Sequence, residues 1–86
     1  MTNREGNNLN IENNQGAHRW EAHLEQYLAV ADYRQRGETI FFLHTQVPRE
    51  LEGLGIASQL VKTALDDARK EHLAVVPFCP FVAGYI

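Results

Sequence analysis

Apolar residues recur with a period of two through the first half of the chain and with a period near 3.6 through one stretch of the second. Leu9, Asn10, Ile11 and Glu12 alternate apolar with polar, and Asn14, Gln15 and Gly16 supply turn chemistry, so a hairpin is expected at the start. Residues 18–25 place Trp20, Ala22 and Leu24 on one face and Arg19, Glu21 and His23 on the other, the signature of a half-buried strand. Residues 27–33 repeat it, with Tyr27, Ala29, Ala31 and Tyr33 opposite Leu28, Val30 and Asp32. Arg36, Gly37 and Glu38 form the next turn, where glycine takes positive φ without steric penalty.

Ile40, Phe41, Phe42 and Leu43 break the alternation, and four apolar residues in a row predict a central strand covered on both faces. Pro48, which has no amide hydrogen for a ladder, stops that strand. Beyond Gly55 the period changes: Leu60, Val61, Ala64, Leu65 and Ala68 make a helical stripe, with Lys62, Asp66 and Arg69 outside it. Residues 73–78 read as one more strand, and a crossover of this length implies a right-handed parallel pair. Pro80 suits the first position of a short last helix over residues 81–86. The fold class expected is therefore α/β (α+β): a mixed sheet with N-terminal antiparallel strands, then a β-α-β unit with a parallel pair, then a short C-terminal helix.

Eighty-six residues are expected to form a single domain over residues 9–86, preceded by a polar, flexible tail over residues 1–8. The formal charge of -3, with scattered basic residues, argues against nucleic acid as the main partner. One cysteine, no apolar leader and no membrane-length apolar window make the cytoplasm the expected location, with no membrane insertion and no metal.

Three places are suited to chemistry. Gly53, Leu54, Gly55, Ile56 and Ala57 lie between a strand and a helix start, where free amides and the helix dipole attract an anion; the plain alternative is a flexible turn. No lysine follows the second glycine as in a Walker loop, and the third glycine of a Rossmann fingerprint is missing. His44 ends the apolar strand and by parity shares a face with Ile40 and Phe42, as a base, a substrate-orienting group or a core histidine with a backbone partner. Cys79 ends the partner strand at the same sheet edge, either as an inert buried thiol or, beside an imidazole, as a nucleophile. Tyr85 offers a phenol as proton donor or simple packing.

Read together, His44-Thr45-Gln46-Val47-Pro48, Glu52-Gly53-Leu54-Gly55-Ile56-Ala57 and Pro77-Phe78-Cys79-Pro80-Phe81-Val82 resemble the short single-domain branch of the GCN5-related N-acetyltransferases. The resemblance spans residues 9–86. It implies that acetyl-CoA rests its pyrophosphate on Gly53, Leu54, Gly55, Ile56 and Ala57, with its pantetheine arm beside Thr45, Gln46 and Val47. It further implies transfer of the acetyl group to an amine, with His44, Cys79 and Tyr85 as catalytic candidates. The alternative function is a non-catalytic acetyl-CoA-binding module acting as a sensor or partner switch. The pattern names no particular amine and no oligomeric state.

Larger relatives often carry glutamine or arginine where Glu50 stands and asparagine where Cys79 stands, whereas Tyr85 keeps the family's spacing. The branch generally shows glutamine at the place of Leu54 and continues past the tyrosine with a basic, His-Pro-containing tail, so the C-terminus at Ile86 reads as truncated.

Overall fold

A computed structural model describes residues 9–85; the tail expected over residues 1–8 lies outside the described residues. The elements run β1 (Asn10–Asn14), β2 (Arg19–Leu24), β3 (Tyr27–Arg36), β4 (Thr39–Gln46), α1 (Ile56–Lys70), β5 (Ala74–Pro77) and α2 (Pro80–Ala83). Short 3-10 turns at Gln15–Ala17 and Arg49–Leu51 join β1 to β2 and β4 to α1. The sheet order is β1-β2-β3-β4-β5, antiparallel except for the β4–β5 pair, so the expected mixed α+β architecture is present. No helix among the described residues is long and apolar enough to cross a membrane.

The turns follow from local chemistry. Asn14 caps the first 3-10 turn by accepting the Ala17 amide at 3.2 Å, and His18 takes a left-handed conformation that swings the chain into β2. Gly37, at φ 59°, turns β3 into β4. Pro80 opens α2 at a position where its missing amide hydrogen costs nothing.

One face of the sheet, the inner face, carries Trp20, Ala22, Ala29, Ala31, Tyr33, Ile40 and Phe42, all buried in a single cluster with Ile56, Leu60, Val61, Ala64 and Ala68 of α1 and Val82 of α2. The periodicities of β2, β3 and α1 predict Trp20, Ala22, Ala29, Ala31, Tyr33, Leu60, Val61, Ala64 and Ala68 among them. Alanines stand on both the strands and the helix, so little but backbone separates them, and close approach gives dense dispersion contact.

Strand β4 departs from the expectation of two-sided cover. It is flanked by β3 and β5, but Leu43 is exposed and Phe41 only half-buried, stacked on exposed Phe78 at 6.0 Å between ring centroids. The reason lies in the register. Tyr33 pairs with Phe42 and the preceding Asp32 pairs with His44, which leaves Leu43 as an extra residue in a β-bulge. The unbroken apolar run thus marks an irregular strand rather than burial on both faces.

Candidate functional site

The bulge sorts the residues that follow it. Antiparallel partners share a face, so Thr45, opposite Ala31, lies on the inner face, and His44 and Gln46, opposite Asp32 and Val30, lie on the outer face. The parity expectation that His44 shares a face with Ile40 and Phe42 is therefore corrected, because one inserted residue inverts every later position. His44 is exposed, with Nδ1 3.6 Å from Oδ2 of Asp32.

On the inner side, Cys79 is 6% exposed and its Sγ lies 3.4 Å from the hydroxyl of Thr45. Burial alone would push this thiol up. Hydrogen bonds from the Thr45 hydroxyl and from the backbone amides of Val82, Phe81 and Thr45 outweigh that effect and hold it below its ordinary value. His44 is not among these partners: backbone and bulge separate imidazole and thiol. The strand ends do converge at one edge, as the parallel pairing requires, but on opposite faces.

The amides of Phe78 and Cys79 both donate to the carbonyl of Phe42, at 3.0 and 3.1 Å. The parallel ladder ends there, its last pair being Phe42 and Pro77. Beyond it, residues 44–46 of β4 have strand partners in β3 alone among the described residues, which leaves the other edge without a ladder partner, its Thr45 amide turned to the Cys79 thiol.

That open edge leads to the glycine turn. Gly53 and Gly55 sit at φ 84° and 77°, conformations that a side chain rarely adopts, and a Cβ built on either meets nothing within 4 Å. Gly55 caps α1 without a side-chain hydrogen bond, so the first amides of the helix have no intrahelical acceptor. Leu51, missed as a structural element by the sequence pattern, is buried in the 3-10 turn and supports the loop from beneath. A cleft of about 240 Å³ opens here, lined among others by Val47, Gly53, Gly55, Ile56, Ala57 and Phe81.

Of the residues expected at a cofactor site, five therefore share one concavity. The other three do not: Leu54 is exposed and absent from the lining, Thr45 faces Cys79, and Gln46 lies on the outer face. Tyr85 lies elsewhere again. It stacks edge-on against Phe81 and lines a second cleft, of about 500 Å³, with Lys62, Leu65 and Arg69 of α1. This cleft is larger, yet it contains none of the glycine amides and meets the first only at Ser58.

The outer face holds a polar cluster that alternation alone does not reveal. Glu21 is 5% exposed; its Oε2 accepts from Asn14 at 2.9 Å and from Arg19 at 2.7 Å, and its Oε1 meets His23 at 2.9 Å. These hydrogen bonds, that of Asn14 first, lower its pKa to about 2 against the opposing push of burial. Glu12 stands 3.3 Å from the same histidine. Glu12, Glu21 and His23 converge closely enough to face a cation, but the Arg19 guanidinium already fills that role at Glu21.

A mixed sheet whose parallel pair parts beside a glycine-capped helix is the architecture of an acetyltransferase-type α+β domain. A family model described as GCN5-related N-acetyl-transferase matches residues 19–86, and the chain belongs to this family. Acetyl transfer is the general chemistry of the family, and its members generally use acetyl-CoA.

Proposed function

We propose that the chain is an acetyl-CoA-dependent N-acetyltransferase acting on an amine. The observation that carries the reading is the continuity of the open β4 edge with the glycine cleft: a strand edge able to pair with an amide-bearing arm leads to amides able to hold its diphosphate. The residues fit the group, since a Cβ at Gly53 or Gly55 would project into open space and no side chain caps the helix.

The amides of Gly53, Gly55, Ile56 and Ala57 bind the pyrophosphate, that of Leu54 being turned to the Leu51 carbonyl at 3.4 Å, and Val47 and Phe81 wall the passage between phosphates and strand. Residues 43–46 orient the arm along β4. When bound, acetyl-CoA supplies a thioester whose carbonyl carbon is the electrophile. His44, exposed beside the bulge, would accept the amine proton at Nε2 as the C–N bond forms and return it to the sulfur released when the C–S bond breaks. Cys79 and Thr45 close the inner wall where the two strands part. A covalent role for Cys79 is disfavoured by its place, since a thiol 6% exposed whose hydrogen-bond partners include no imidazole is poorly reached by thioester or amine. Tyr85, set against α1, serves the reaction only through the cleft it lines.

Titrating acetyl-CoA into labelled protein and following the amides of residues 53–57 tests the binding half. Large shifts confined to those residues and to β4 are expected, and none at saturation would remove the proposal. Gly55→Ala forces a side chain into positive φ at about 1–3 kcal/mol of strain, and a weakened acetyl-CoA affinity in that variant, read by calorimetry, is the expected companion. For the chemical half, His44→Ala is expected to lower kcat about 10²-fold or more, while Cys79→Ala stays within a few-fold of the parent. The reverse order would make the thiol the working group.

A further inference from the structure

We infer that Asp32 is the positioning residue for His44: its carboxylate fixes the imidazole with Nδ1 protonated and leaves Nε2 as the proton acceptor. This rests on the reading of His44 as base given above. The two residues meet only because of the bulge. Were β4 regular after Phe42, His44 would lie on the inner face; the extra residue, Leu43, brings it opposite Asp32 on the outer face instead.

The geometry fixes the roles. Nδ1 lies 3.6 Å from Oδ2, an ion-pair distance that a small side-chain adjustment converts to a hydrogen bond. An ionised carboxylate only accepts, so the nitrogen facing it carries the proton and the opposite nitrogen keeps its lone pair. Asp32 is available for this task. The two nearest arginines on its face, Arg19 opposite it and Arg34 two residues along, are engaged elsewhere, Arg19 with Glu21 at 2.7 Å and Arg34 with the carbonyl of Tyr33 at 3.0 Å, and among the described residues no charged side chain other than His44 pairs with Asp32. The negative charge also stabilises the imidazolium formed when the proton arrives, and both groups are open to the solvent from which an acceptor comes.

The test has two arms. In the first, ¹⁵N shifts of the His44 ring are read in the free protein at a pH where it is neutral. The parent is expected to show Nδ1–H, and Asp32→Ala to shift the population toward Nε2–H; an unchanged ratio overturns the inference whatever the enzyme does. In the second, acetyl-CoA turnover is measured with a lysine-containing peptide and with a simple alkylamine as acceptors. Asp32→Asn is expected to lower kcat about tenfold or more with KM for acetyl-CoA unchanged, and Asp32→Glu to restore most of the loss. A tautomer that shifts while Asp32→Asn and His44→Ala both keep full kcat overturns the assignment of His44 as base and, with it, the catalytic half of the inference. Loss of kcat in His44→Ala but not in Asp32→Asn overturns the positioning role alone.

Discussion

The two faces of this sheet are held by different physics. The inner face is a hydrophobic interface: alanines, three aromatic residues and the stripe of α1 exclude water, and the force is proportional to apolar area. The outer face is held by directed contacts, with Glu21 clasped by Asn14, Arg19 and His23 and with His44 set against Asp32. A side chain on the inner face is therefore replaceable only by one of similar volume, whereas on the outer face charge and hydrogen-bond geometry decide. The bulge at Leu43 is where one strand passes from the first regime to the second.

The largest test of this contrast is a pair of truncations. Leu60 is fully buried under the sheet, and Leu60→Ala is expected to cost about 2–5 kcal/mol, the lost transfer energy plus the cavity left behind. Leu43→Ala removes the same atoms from an exposed bulge and is expected to change stability by about 0.5 kcal/mol or less. Urea denaturation of the two variants beside the parent measures both. Equal losses would mean that the outer face is packed as tightly as the inner one.

How much of this was legible in the sequence depends on whether a regular period carried the information. The sides of β2, β3 and α1 could be read because each obeys one period over its length, and Pro80 and Gly55 marked helix starts by conformational rules that need no neighbours. The glycine turn was legible for the same reason. The side taken by His44 was not, because a bulge changes parity without changing composition, and Ile40, Phe41, Phe42 and Leu43 look alike whether a strand is buried twice or irregular once. The Glu21 cluster was hidden for a related reason: alternation marks Glu21 as outward but cannot say that Asn14 and Arg19 close over it. Tyr85 kept the family's spacing yet lies against α1, since spacing along a chain fixes neither the length of the last helix nor its direction.

The second test titrates the outer face. Glu21 has an ordinary value of 4.5 and a folded value of about 2, so the folded protein holds the ionised form when the unfolded chain already takes up a proton. The sign follows: its contribution is complete above pH 4.5, shrinks as pH falls through the interval, and is gone below about 2. Glu21→Gln is expected to be less stable than the parent at neutral pH, because Arg19 loses its partner, and to show a flatter acid limb. Thermal unfolding of both proteins between pH 7 and pH 2 reads the difference. Parallel curves would show that the cluster does not hold this face.

The smallest effect gives the sharpest separation of the two faces, because it asks whether the thiol and the imidazole sense each other. Thiolate absorbance of Cys79 followed against pH reports its titration directly. The Thr45 hydroxyl donates to the ionised sulfur, so Thr45→Val withdraws a stabilising donor while burial still opposes the charge, and the midpoint is expected to move up. His44→Ala is expected to leave that midpoint where it was, since the imidazole lies on the other face of β4. Should His44→Ala move it as far as Thr45→Val does, the two groups would have to meet in solution, the bulge would not separate them, and the pairing of thiol with imidazole would return as the working chemistry of the site.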